Sequence, residues 1–368
     1  MADLTRRIAF SMIKGLTMDT ANDLLQRVGD LDSFFDKPCQ QLWQEIGAQK
    51  SFCTDRERAQ LLSQAAKEVE FVQSKHVKPV FMLDDDFPQR LRECCDAPTL
   101  LYSLGPCNLN AAHIVSVVGT RRSTAYGSKI TSDIISGLAS KLDDLVIVSG
   151  LAYGIDVCAH RAALDANIPT VGVVAHGLKT LYPAEHRDIA ARMIREGGAI
   201  VTEYTSDAPV HRGNFLARNR IVAGLADITL VVESDSHGGA MVTASIANSY
   251  GRDVGAVPGR TIDRFSQGPN ALIFSNKASI IRDADDIVEL MNWETKPTEG
   301  TQQTFNFADL SDEQRQVVDF LRRQPSANAE DMARELQVPY AKLNSRLMQM
   351  EMADLLTTLP GGQIQLNI

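Results

Sequence analysis

Two adjacent arginines, Arg121 and Arg122, follow a short β-branched run, Ile114 to Val118, and a glycine, Gly119. Such a run suits a strand buried on both faces of a parallel sheet, and Ser123 or Thr124 can cap a helix beginning near Ala125. In an open α/β sheet this strand-to-helix turn lies at the carboxyl edge, where ligands bind and a helix N-terminus favours anions. Two guanidinium groups there seek phosphate. A second stretch, Phe215 to Arg220, places a ring, Asn219 and the arginines Arg218 and Arg220 on a helix, with Arg212 just before them. A ring beside arginines suits stacking on a base while guanidinium groups hold phosphates. The competing role is bracing: an arginine paired with Glu233 or Glu203 under the sheet. One of Arg218 and Arg220 is expected to do that.

Other chemistry finds little support. The phosphate-loop pattern G-x-x-x-x-G-K-[ST] is absent, and no G-x-G-x-x-G turn follows the first parallel strand, so neither nucleotide hydrolysis of that type nor dinucleotide redox chemistry has a motif. His160 follows Asp156 by four residues and shares its helix face; an Asp–His hydrogen bond fixing a loop is the expected role, a catalytic pair the alternative. The six cysteines include no C-x-x-C pair, which points to reduced thiols in a cytoplasm and to no metal site. No cofactor is expected.

The elements that would position these residues alternate between residues 111 and 291. Strand-like runs at Leu145–Val148, around Thr170–Ala175, in GGAIVTEY, ADITLVV and RDVGAV each precede or follow a helical pattern, and Gly150, Gly154, Gly177, Lys179, Gly238 and Gly239 fall in the intervening loops. Alternation of this kind implies a parallel sheet with right-handed crossovers, which brings the glycine-rich loops to one edge. Residues 1–75 read as a small helical domain of the helix-hairpin-helix type, suited to packing or protein contact. Residues 76–291 read as an extended Rossmann-like domain and 292–306 as a polar linker. Residues 307–368, with three helices and a hairpin around Pro360-Gly361-Gly362, read as a winged helix.

The chain has 368 residues, 44% of them hydrophobic and 23% charged, with a formal net charge of −9. No apolar run reaches the roughly 18 residues of a membrane span, and the first residues do not read as a secretory leader. No segment is basic overall, so a nucleic-acid site must be a local patch. The winged segment carries six lysines and arginines against nine acids. Its recognition helix, Tyr340 to Glu351, offers only Lys342 and Arg346, which favours a protein partner over DNA.

In order, VVGTRRSTAYG, SGLAYGIDVCAHRAAL, GLKTLYP, FLARNRIVAGLA, VVESDSHGGAMVTA and GRDVGAVPG resemble the motifs of the DNA-processing protein A (DprA, or Smf) family, over roughly residues 80–291 and more loosely on both flanks. The resemblance implies a non-enzymatic, homodimeric protein that binds single-stranded DNA and loads the RecA recombinase onto incoming DNA during natural transformation. By motif, Arg121 corresponds to the family's arginine after the first strand. Phe215, Arg218, Asn219 and Arg220 correspond to its F-P-x-R-N-R stretch, and Gly150, Gly154 and Gly239 to its loop glycines. There are departures: Lys179 stands where an Asp is usual, Leu216 replaces the Pro of F-P, and Gly238 replaces a Ser. Expected DNA contacts are therefore Arg121, Arg122, Gly150, Lys179, Arg212, Phe215, Arg218, Asn219, Arg220 and Gly239. The resemblance also places a dimer surface near the end of this domain, where Leu272 and Phe274 are the expected contacts and Ile280–Ile281 reads as an internal strand. The alternative is a nucleotide-phosphoribose hydrolase on a similar sheet. That chemistry uses a Glu after a P-G-G-x-G-T loop, and no Glu follows Thr243 at that distance.

Overall fold

β-Branched runs become strands because their side chains fill both faces of a sheet. In β3 (His113–Val118), Ile114 and Val118 enter one apolar core while Val115 and Val117 enter another on the opposite face, the two-residue alternation of a strand covered on both sides. The computed structural model describes residues 2–45, 47, 53–296, 310–324, 326–352, 355–359 and 362–366. It divides into two compact units, residues 1–296 and 297–368.

The first unit contains a nine-stranded sheet made of β1 (Lys78–Phe81), β2 (Leu100–Leu104), β3, β4 (Leu145–Ser149), β5 (Thr170–Val173), β6 (Ala199–Thr202), β7 (Ile228–Val231), β8 (Asp253–Ala256) and β9 (Ser279–Ile280), in the spatial order β1-β2-β6-β5-β4-β3-β7-β8-β9. The seven strands from β3 to β9 are parallel; β2 joins antiparallel to β6, and β1 to β2. The chain walks from β3 to β6 in one direction, then returns to add β7 on the other side of β3. That reversal makes the carboxyl end of β3 a topological switch point, where a crevice opens between diverging loops. Ile280 lies on the edge strand and is 49% exposed, while Ile281 is fully buried just beyond it, so the expected internal strand is an edge.

Helices Ala2–Ser11, Met18–Val28, Leu31–Asp36, Cys39–Glu45 and Asp55–Ser74 precede the sheet. Thr17 with Thr20, and Thr54 with Glu57, form capping boxes that start the second and fifth, each satisfying otherwise orphaned amides. These helices share one apolar core with the sheet: Phe10 meets Phe81 edge-on at 6.2 Å, Arg7 pairs with Asp84 at 2.5 Å, and buried Glu68 accepts from the Ser206 amide at 2.8 Å and its hydroxyl at 2.7 Å. After the last strand, Trp293 packs edge-on against His113 with ring centroids 4.7 Å apart, and the Lys296 amide donates to the Lys141 carbonyl. The start of the expected linker thus lies on the sheet; its remainder, from residue 297, falls outside the described residues.

The second unit holds helices Asp312–Arg323, Ala329–Glu335 and Tyr340–Met352, with β10 (Ala327–Asn328), β11 (Leu356–Leu359) and β12 (Gln363–Leu366) in the antiparallel order β10-β12-β11. Val317, Leu321, Met332, Leu343, Leu347 and Ile364 form its core. Pro360 and Gly361 of the hairpin tip lie outside the described residues.

Candidate nucleic-acid interface

The loop leaving β3 is held from both sides. The Thr120 amide donates to the Glu233 carbonyl at 2.6 Å, and the Ile155 amide to the Thr120 carbonyl at 3.1 Å. Gly154 makes that second contact possible: its φ of 75° is left-handed, and a β-carbon there would strike the Thr120 oxygen and the Arg121 backbone. Thr124 caps helix Ala125–Lys141. The Glu233 carboxylate accepts from the Thr124 amide at 2.9 Å and its hydroxyl at 2.5 Å.

From this fixed loop Arg121 reaches over Phe215, its guanidinium 5.4 Å from the ring centroid. Phe215 stands in the first turn of helix Arg212–Gly224 and meets Tyr182 edge-on at 5.7 Å. The Tyr182 ring is 42% exposed. Its amide donates to His176 Nε2 at 3.2 Å while His176 Nδ1 donates to the Gly177 carbonyl, so the buried imidazole fixes the loop that carries Tyr182. Tyr153, also part-exposed, donates to Glu185 at 2.9 Å. Arg122 and Arg212 are exposed. Among the described residues none of Arg121, Arg122 and Arg212 has an acidic partner within ion-pair distance.

The other expected contacts divide differently. Arg218 turns inward and is 4% exposed; it donates to the Val173 carbonyl, with Asp156 as buried counter-charge. Burial pulls the Arg218 guanidinium below its ordinary pKa and pushes the Asp156 carboxyl up, each opposed by the charge of the other. Gly150 faces this guanidinium, and a β-carbon there would collide with it. Arg218 is therefore framework beneath the surface, and Gly150, itself part-exposed, leaves room for its guanidinium. Arg220 pairs with Glu203, both less than a fifth exposed, and is the bracing arginine. Burial pushes the Glu203 carboxyl up even beside that partner. Lys179 pairs with Asp207 at 2.7 Å and lies over the Phe71 ring, turned toward the N-terminal helices. An exposed pair of this kind holds by about 1 kcal/mol or less. Asn219 Nδ2 approaches the Gly239 carbonyl at 3.5 Å, and Gly239 opens its helix onto free space.

Asp156 and His160 do not bond to each other. His160 Nδ1 donates to Thr170 Oγ1 at 2.7 Å, since that hydroxyl already donates to the Ile147 carbonyl; Asp156 accepts from the Ala152 amide. Burial lowers the His160 pKa to about 3, so the ring is a neutral strut. Among the described residues no cluster of three His, Cys, Asp or Glu could hold a metal ion, and no helix is long and apolar enough to cross a membrane. Leu272 is buried within its own unit, whereas Phe274, two residues on, is 91% exposed; of the two expected dimer contacts only Phe274 is available to a partner. Unpaired guanidinium groups beside part-exposed rings are suited to holding a phosphate backbone and stacking its bases.

The family model of DNA recombination-mediator protein A matches residues 78–292, more than half of the chain. The chain belongs to that family. A model of the DprA winged-helix domain matches residues 303–362. The chain is 39% identical over 243 residues to a DNA-processing protein of Mycobacterium tuberculosis, a match covering 62% of this chain and 61% of the relative. Protein Smf of Escherichia coli is 31% identical over 289 residues, 76% of this chain and 75% of the relative. The crystal structure of DprA from Streptococcus pneumoniae superposes with a TM-score of 0.65 at 29% identity, covering 77% of this chain and 97% of that one. A DprA structure from Helicobacter pylori, described for its single-stranded-DNA-binding mode, superposes at 0.52 with 28% identity over 59% of this chain and 95% of that one. Within this family frame, the side chains that sequence reasoning left out of the site are Tyr182 and Tyr153. Each sits just beyond a loop glycine, Gly177 before Tyr182 and Gly150 before Tyr153, and an aromatic in such a loop was the available signal.

Proposed function

We propose that this protein binds single-stranded DNA along the carboxyl edge of the sheet and serves as a recombination mediator, a cytoplasmic homodimer that protects incoming DNA and loads RecA onto it during natural transformation. The observation that carries the reading is the Arg121 guanidinium over Phe215, with Tyr182 beside the ring and Arg122 and Arg212 nearby, none of the three arginines having an acidic partner among the described residues. Membership of the family and the binding mode described for the Helicobacter pylori relative support it. Residues 1–75, 76–291, 292–306 and 307–368 are read as helical domain, DNA-binding domain, linker and winged helix. Phe274 is the proposed dimer anchor, and a charged residue in its place should give monomers by light scattering. No residue is assigned a catalytic role; release of free base from nucleoside monophosphates would overturn that. The direct test is fluorescence anisotropy with single- and double-stranded oligonucleotides. Single strands should bind more tightly, without marked sequence preference, and Arg121→Ala should weaken all of them and lower the salt slope by about one. Duplex binding as tight as single-strand binding would overturn the reading.

A further inference from the structure

A pocket of about 900 Å³ opens at the carboxyl ends of β7 and β8, on the far side of the Thr120–Thr124 loop. Thr124, Tyr126, Glu233, Arg260, Ile262 and Phe265 are among its lining residues. We propose that it is a second nucleotide subsite, taking a base and phosphate of the same strand that Arg121 and Phe215 hold. The inference rests on the single-strand reading of that edge.

Three observations shape the ligand. Tyr126 donates through its hydroxyl to the Pro258 carbonyl at 3.0 Å, yet half of the residue stays exposed. The ring is thus a pinned wall with a free face, the requirement for stacking without an ordering cost. The floor is a carboxylate: Glu233 is 4% exposed and committed to Thr124. That repels a bare phosphate from the depth of the pocket and favours a neutral base there. The phosphate then belongs at the rim, where Arg260 is exposed and, among the described residues, has no acidic partner; Arg264 is already paired with Asp235 at 2.6 Å. Ile262, 84% exposed, adds apolar surface at the mouth. The loop that supplies Thr124 also carries Arg121 and the unpaired Arg122, which gives a strand leaving Phe215 a cation to pass on its way to Tyr126.

The test uses the full chain and fluorescein-labelled oligothymidylates of six and twenty nucleotides, with circular dichroism to confirm folding. Tyr126→Leu should weaken the twenty-mer about fivefold or more, and Tyr126→Phe, which keeps the stacking face but loses the hydroxyl pin, should weaken it less than Tyr126→Leu does. Arg260→Ala should weaken the twenty-mer and lower its salt slope by about one. Tyr126→Leu and Arg260→Ala should weaken the six-mer as well, because Arg121 and Thr124 sit on one short loop that six nucleotides reach past, and Arg121→Ala should weaken both lengths. Wild-type twenty-mer affinity in Tyr126→Leu and Arg260→Ala, with Arg121→Ala still defective, overturns the second subsite alone. Thymidine monophosphate bound in an Arg260-dependent way, with the twenty-mer indifferent to Arg260, makes the pocket a free-nucleotide site and overturns its place on the strand. An Arg121→Ala protein that binds both lengths normally overturns both readings.

Discussion

The carboxyl edge of the sheet and the helix Tyr340–Met352 of the winged unit each present cations in an acidic chain, but the cations differ in what surrounds them. At the edge, Arg121, Arg122 and Arg212 lack acidic partners among the described residues, and Arg121 lies over a ring. On the helix, Lys342 donates to Glu313 at 2.9 Å and Arg346 donates to the same carboxylate; Arg346 is 6% exposed. A polyanion approaching that helix would have to displace an acid already in place. Local pairing, not the number of basic residues, decides which surface attracts a phosphate backbone.

The largest effect should come from the ring and cation at the edge. Phe215→Ala is expected to lose about one base stack, a drop of roughly fivefold to a hundredfold in single-strand affinity. Adding Arg121→Ala should cost less than the two separate losses combined, because the groups touch; a fully additive double-mutant cycle by anisotropy would break the link between them.

Acid should separate the two units next. The unfolded chain protonates His160 near its ordinary pKa of 6.5, whereas the folded ring resists until about 3. The first unit therefore loses stability as pH falls through that window, by about 2 kcal/mol at pH 5 from this residue. Chemical denaturation at pH 6.5 and 5 should show the loss, and His160→Gln should flatten it. Glu313 shifts in the same direction but titrates at lower pH. Its hydrogen bond to Lys342, with the charges of Lys342 and Arg346, holds its carboxyl below the usual range. Its contribution is present at neutral pH and disappears only as pH falls through that lowered pKa, so the winged unit should melt alike at pH 6.5 and 5.

A smaller effect should follow from releasing the helix cations. Glu313→Gln is expected to raise DNA binding of the chain a few-fold at low salt, with the gain lost at higher salt. Smallest of all, a chain ending at Asn306 should keep its single-strand affinity within about twofold, since Lys342 and the buried Arg346 are both already paired with Glu313. Loss of binding on truncation would reverse the comparison.

The sequence made the strands of the sheet legible because runs such as Ile114–Val118 are apolar at every position, and the start of helix Ala125–Lys141 because Thr124 is a capping residue. Its arrangement was less accessible. Nothing local says that β2 inserts antiparallel beside β6 or that Ile280 ends on an edge, since register between distant strands is set by tertiary packing. Among the site residues, Arg121 and Phe215 could be named from their loop and helix-start positions. That Arg218 is inside and Arg220 braces Glu203 could not be assigned to one or the other, because two arginines two residues apart differ only in which way the helix faces the sheet. Lys179 looked free because Asp207 lies 28 residues away along the chain. The Asp156–His160 pairing suggested by helical spacing gives way to Thr170, a partner brought in from a neighbouring strand.

The contacts of the N-terminal helices with the sheet bear on how such a protein could be rebuilt from parts. Phe10 against Phe81, Arg7 against Asp84 and Glu68 against the Ser206 amide all cross the point near residue 75 where a cut looks natural. A chimaera that takes its first 75 residues from one relative and the rest from another would face mismatched halves of a single interior. Such a chimaera would need the two sides of these contacts matched, Phe10 to Phe81, Arg7 to Asp84 and Glu68 to Ser206, to keep that interior.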